Sequence, residues 1–113
     1  MWDYRASVSK VIDGDTLDLI IDVGFHMTTK QRVRLLWVDT PEMRGPERED
    51  GKVAKLFVEN WVDEHSKSLW PFVVHTEKDD AFGRWLCDLL PVDTLGQSLS
   101  STLLNAGQAE LYK

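Results

Sequence analysis

The stretch Lys30-Gln31-Arg32-Val33-Arg34-Leu35-Leu36-Trp37-Val38-Asp39-Thr40-Pro41-Glu42 starts as an alternating strand and ends in a stiff corner carrying two carboxylates. Lys30, Arg32 and Arg34 share one parity; Val33, Leu35 and Trp37 share the other, which is assigned to the core. The strand is expected over about Thr29–Val38. Arg34 beside four consecutive apolar residues is costly to bury unless it meets an anion. Pro41 fixes its own φ and holds Asp39 and Glu42 near each other. A phosphate held by arginine, with carboxylates and a metal ion alongside, is the chemistry this corner suggests.

Upstream, Tyr4–Ile12 reads as a first strand and Asp13-Gly14-Asp15 as a turn whose glycine permits a left-handed or bulged backbone. Thr16–Asp22 alternates, with Leu17, Leu19 and Ile21 on one face. Asp15 shares that parity, so its carboxylate is expected at the mouth of whatever those residues fill. Val23-Gly24-Phe25-His26-Met27 connects this strand to the next.

Downstream, Met43–Gly51 reads as a polar loop. Asp50 is a candidate cap for a helix over about Lys52–His65, with Val53, Leu56, Phe57 and Trp61 as its apolar stripe. Leu69–Thr76 is a fourth strand with Pro71 near its start. Glu77–Gly83 is a charged turn, and Arg84–Leu90 a fifth strand ended by Pro91. A short helix over Leu99–Asn105 turns Leu99, Leu103 and Ala106 inward, with Gly107 as its C-cap.

Three strands, a helix, two strands and a short helix form one domain over residues 1–113. The fold class expected is α+β, mainly β: a five-stranded OB-fold Greek-key barrel with its helix between strands 3 and 4. Such barrels offer a face to oligonucleotides and oligosaccharides, which alone defines no function.

The bulk numbers narrow the field. The 113 residues suit one core, and no apolar run approaches the roughly 20 residues that span a bilayer. The N-terminus lacks a basic and apolar leader pattern, so a cytoplasmic location, or a chain already trimmed of its leader, is expected. A monomer is expected. Cys87 is alone in the sequence, a small core filler. The net charge of −6 argues against gripping nucleic acid by long-range attraction. Residues 30–55 nevertheless hold seven basic side chains against five acidic ones, enough for one face to receive a polyanion.

Asp15, Asp39 and Glu42 offer only oxygen, to which Thr40 adds a backbone carbonyl; that set favours Ca²⁺, Mg²⁺ or Mn²⁺ over zinc. Arg34 and Arg84 carry the planar fork that holds two phosphate oxygens at once. Glu42 is placed to take a proton from an attacking water. Trp85, next to Arg84, and Phe82 are candidates to touch substrate, Trp85 by stacking on a base. Trp37 and Trp61 read as core. His26, His65 and His75 are scattered and form no metal set.

Three segments carry these groups: Val11-Ile12-Asp13-Gly14-Asp15-Thr16, Val33–Glu42 and Phe82-Gly83-Arg84. Together with Ser101–Ala109 they resemble the hallmark motifs of the staphylococcal nuclease (thermonuclease) family. The chain looks like a compact member ending before the family's last helix. Asp79-Asp80-Ala81-Phe82 stands where the family often has a lysine and a tyrosine. The resemblance implies a calcium-dependent endonuclease, a hydrolase acting on single-stranded or frayed DNA and RNA. By the same resemblance, cleavage is expected at the 5′ P–O bond, leaving 3′-phosphate ends. It implies Asp15, Asp39 and the Thr40 carbonyl as Ca²⁺ ligands, Glu42 as base or orienter of the water, and Arg34 and Arg84 as the phosphate clamp. The alternative is a barrel of the same kind that binds nucleic acid or a protein with little or no cleavage.

Overall fold

In the computed structural model, residues 2–79, 83–93 and 97–111 are described. Strands β1 (Trp2–Asp13), β2 (Thr16–Gly24) and β3 (Met27–Leu35) form an antiparallel meander. Helix α1 (Arg48–His65) follows a short strand β4 (Val38–Asp39) and a 3₁₀ turn at Gly45–Glu47. Strands β5 (Phe72–Asp79) and β6 (Trp85–Pro91), helix α2 (Leu99–Asn105) and strand β7 (Glu110–Leu111) complete the order.

The sheet closes on itself in the order β1-β2-β3-β6-β5, with β5 returning to β1 and β6 parallel to β3. This is the α+β, OB-fold-like barrel that the sequence order predicts. Closure follows from the alternation: Ala6, Leu17, Leu19, Val33, Leu35, Phe72, Val74, Cys87 and Leu89 all point inward and are fully buried. Helix α1 adds Val58, Trp61 and Val62 to this core. Trp61 stacks on Phe72 with ring centroids 5.2 Å apart, so α1 closes the barrel at the Phe72 end. Burial pushes the Cys87 thiol well above its usual pKa, as a packing residue requires. Among the described residues, no helix is long and apolar enough to cross a membrane.

Several expectations need correction. Strand β3 stops at Leu35, because Trp37 adopts φ 65, a left-handed conformation that a bulky residue enters only at a cost of about 1–2 kcal/mol. The reversal swings Trp37 out, 51% exposed, and turns Val38 fully inward. The inward parity therefore passes from Leu35 to Leu36 and Val38, and the chain leaves β3 toward a separate pairing of Val38–Asp39 with Glu110–Leu111.

Helix α1 begins at Arg48, four residues early, and Asp50 lies in its first turn with Glu49. No side chain caps it, and the two acids there suit the positive end of the helix dipole instead. Its buried stripe is Gly51, Ala54, Val58, Trp61 and Val62, whereas Val53 and Leu56 face solvent and Phe57 is half-buried. The loop expected at Met43–Gly51 is thus half helix. Strand β5 starts after Pro71, which has no N–H to give a ladder, and runs on through Glu77 to Asp79. Leu69, expected in that strand, is exposed.

Helix α2 agrees closely with expectation. Ser98 caps its start by accepting from the Ser101 N–H, and Gly107 at φ 72 ends it. The Gly107 and Gln108 amides donate back to Leu104 and Leu103, a paired closure that uses glycine's freedom at positive φ. Ala106 is exposed rather than inward.

Candidate active site

Four separate segments line one open cleft of about 410 Å³: the β1–β2 turn, the end of β3, the corner from Asp39 to Arg44, and Arg84 ahead of β6. Asp15, Arg34, Asp39, Thr40, Glu42 and Arg84, six of the eight predicted site residues, are all on its wall. Trp85 is not; it lines a different, apolar groove. Phe82 lies outside the described residues.

The β1–β2 turn is built to push Asp15 into this cleft. Strands β1 and β2 pair through Asp13 and Thr16, leaving Gly14-Asp15 as the tip. The Asp15 carbonyl accepts the Leu35 N–H at 2.9 Å, locking the tip to the end of β3. Gly14 is needed for a reason the sequence does not display. It is not left-handed; a Cβ there would sit 2.7 Å from Thr40 Oγ1 and 2.9 Å from Thr40 Cβ. The glycine lets the Thr40 corner pack directly on the turn.

Asp15 is 8% exposed, and its carboxylate meets three partners from its own turn and the segments around it. Oδ2 accepts the Thr40 N–H at 3.2 Å, Oδ1 accepts the Thr16 hydroxyl at 3.2 Å, and Arg34 Nη2 approaches Oδ2 at 3.5 Å. The same Nη2 donates to Asp39 Oδ1 at 3.1 Å, and Nη1 to the Leu35 carbonyl at 3.2 Å. Arg34 is thus nearly buried and bridges two carboxylates from different segments. The anion that its position demanded is present twice over.

Glu42 and Asp39 are exposed at the cleft, with Thr40 buried between them. The Glu42 backbone is backed by α1. A Cβ on Gly51 would lie 2.6 Å from the Glu42 carbonyl carbon and 3.0 Å from the Met43 nitrogen. The Glu42–Met43 peptide therefore rests on the helix at its one residue without a side chain. Position 51 reads as a loop end in the sequence, and only the spatial partner reveals its role.

Asp13 is the member that the residue roles leave unassigned. It lines the cleft, and its Oδ1 accepts the Asp15 N–H at 3.2 Å. Burial pushes its carboxyl up to about 6, helped by the neighbouring Asp15 carboxylate. The signal was its place two residues before Asp15 in the turn.

A hard cation suits this donor chemistry, because every available atom is oxygen. Asp15, Asp39 and the Thr40 carbonyl are the residues that would hold it, with water completing the shell. Among the described residues no three His, Cys, Asp or Glu side chains form a ready-made ligand cluster.

A buried link supports the corner from the far side. The Asp88 carboxylate accepts the Leu89 N–H at 2.9 Å and the Ser100 N–H at 3.1 Å. The Ser100 hydroxyl donates to the Leu36 carbonyl at 3.0 Å, just before the Trp37 reversal. Helix α2 thereby holds the chain where it leaves β3 for Asp39. Elsewhere His65 pairs with Asp93 at 3.0 Å and His75 with Asp3 at 2.7 Å, so both serve surface ion or hydrogen bonds away from the cleft.

No protein-family model matches the chain, and no curated protein matches it at significant similarity.

Proposed function

We propose that the cleft hydrolyses phosphodiester bonds of single-stranded or frayed DNA and RNA, with Ca²⁺ as the cofactor. The observation that carries this reading is Arg34. A guanidinium held between Asp15 and Asp39, in a cleft shared with Glu42 and Arg84, sets positive forks beside oxygen donors and a carboxylate. A phosphodiester is a substrate that uses all of these. The residue pattern of the three segments, which resembles the staphylococcal nuclease family, supports the same reading independently of the geometry.

In this reading the cation, when bound at Asp15, Asp39 and the Thr40 carbonyl, neutralises phosphate charge as a Lewis acid. Arg34 and Arg84 donate to the non-bridging phosphate oxygens, whose charge grows as water adds to phosphorus. Glu42 accepts a proton from that water or fixes its line of attack. The P–O bond to the 5′ carbon breaks, leaving a 3′-phosphate and a 5′-hydroxyl. Burial of Arg34 matters here, since a fork already held in place loses little freedom when phosphate arrives.

The net charge of −6, which disfavours capture of a polyanionic substrate, leaves a second reading: a barrel of this kind that binds nucleic acid or a protein with little or no cleavage. One assay separates the two. Single-stranded DNA is incubated with the protein in millimolar calcium, with and without chelator, beside Glu42→Gln. The expected result is calcium-dependent shortening with 3′-phosphate ends, lost in chelator. Binding of the strand with no metal-dependent cleavage would overturn the nuclease reading.

A further inference from the structure

Helix α1 closes one end of the barrel, and the described residues form a groove at the other. Along β5 the two ends are distinct: Phe72 stacks on Trp61, whereas Thr76 lines a groove of about 160 Å³ at the opposite mouth. Tyr4, Ile21, Val33 and Trp85 give this groove a mainly apolar wall, and Gln31 and Thr29 give it a polar edge. Trp85 is 39% exposed, unusual for an inward-facing indole and enough to offer a ring face.

The groove and the carboxylate cleft are back to back on one seam. Among the described residues, β3 and β6 pair only through Val33–Leu35 and Trp85–Cys87. Val33 and Trp85, the first pair of that seam, line the groove; Arg34 and Arg84, their immediate chain neighbours, line the cleft. Arg34 follows Val33 within β3 and so points to the opposite face, and Arg84, just ahead of β6, lines the same cleft; this end of the seam is a lip with guanidinium groups on one side and an indole on the other.

We propose that this mouth receives a nucleobase, stacked on Trp85, from the polynucleotide strand whose phosphate lies between Arg34 and Arg84. The inference rests on the reading of the cleft given above and adds a base subsite to it. A strand crossing the lip presents its phosphate outward and its base inward. The base is the flat, apolar, hydrogen-bonding part of that same ligand, which matches an indole with an amide beside it. Gln31 donates one amide hydrogen to Thr29 Oγ1 at 2.9 Å, which orients the rest of its amide within the groove. An amide carries both donor and acceptor, so it meets any base edge without demanding one. Stacking on the indole is likewise tolerant of sequence.

The test compares two short single-stranded oligomers in calcium, one complete and one with an abasic site replacing a single base, moved along the strand. Binding is measured in a Glu42→Gln background so that the strand stays intact. The complete oligomer is expected to bind more tightly than the oligomer abasic at one particular position. Trp85→Leu keeps an apolar wall without a π face and should weaken only the complete oligomer, by roughly five- to hundredfold. Trp85→Phe should restore most of the affinity. Gln31→Leu, which removes the amide at similar volume, should give a smaller loss confined to the same base position; it serves as the second probe if Trp85→Leu fails to fold. If the parent binds the complete oligomer but neither the abasic position nor any of these variants changes affinity, the base subsite is overturned and the cleft reading stands. If the parent binds neither oligomer, the cleft reading fails and takes this inference with it.

Discussion

Arg32 and Arg34 sit two residues apart on the same face of β3, yet they occupy opposite physical worlds. Arg32 is half in solvent and meets one carboxylate, Asp18, through Nε at 2.8 Å and Nη2 at 3.2 Å. Arg34 is nearly buried and shared between Asp15 and Asp39, with Glu42 on the same cleft wall. One is a complete surface pair that needs nothing further. The other lines a cleft that it shares with Asp13, Asp15, Asp39, Glu42, Arg44 and Arg84. Residue type and strand parity are identical, so what separates the two is burial and the number of carboxylates each meets.

The largest expected effect lies at the two side chains proposed to act on the attacking water and on the phosphate. Glu42→Gln and Arg84→Ala should each lower calcium-dependent cleavage by about 10²–10³-fold while leaving the circular dichroism spectrum unchanged. A loss below tenfold for both would remove them from the chemistry.

Next comes the support behind the corner. Gly51→Ala places a methyl group against the Glu42–Met43 peptide, so the corner must shift. We expect a stability loss of about 1–3 kcal/mol in urea titration, together with reduced cleavage. Val53→Ala, on the exposed face of the same helix, should change neither. Equal behaviour of the two would contradict the packing account. Ser100→Ala removes the bond to the Leu36 carbonyl and leaves a buried acceptor without that donor, for an expected cost of about 1–3 kcal/mol. A neutral Ser100→Ala would show that α2 does not hold the corner.

The smallest effect belongs to Arg32. Its guanidinium holds the Asp18 carboxyl below the usual aspartate range, chiefly through their hydrogen bond. A carboxyl whose pKa is lowered on folding stabilises the fold above its unfolded pKa. That contribution is lost as pH falls through the folded value. Arg32→Ala should therefore lower the Tm slightly at pH 7, and the difference should close in strong acid and in high salt. A difference that grows on acidification would have the wrong sign for this pair.

How much of this was legible in the sequence follows from the same contrast. Strand parity placed Leu17, Leu19, Val33 and Leu35 in the core correctly, because alternation is a local property. Trp37 was assigned inward by that alternation and is exposed, since a single left-handed residue reverses parity and leaves no trace in composition. The stripe of α1 was misread for a related reason. Large residues at helical spacing, Val53 and Leu56, drew the assignment, while the contact face begins with Gly51 and Ala54, whose value is closeness rather than area. For the site, Asp15, Arg34, Asp39, Thr40, Glu42 and Arg84 were named from chemistry at strand ends and do share a cleft. Asp13 was passed over as a turn residue, and the roles of Gly14 and Gly51 were hidden because each depends on a partner far away in sequence.

The measurement that bears most directly on the central claim sets Arg34→Lys beside Arg32→Lys. Both keep the charge and remove the fork. Calcium-dependent cleavage of a single-stranded oligonucleotide is followed for the two variants and the parent under identical conditions. The account predicts that Arg34→Lys loses most of the activity, about 10²-fold or more, and that Arg32→Lys keeps it. Equal activity in the two variants, whether both retained or both lost, would contradict the assignment of the cleft.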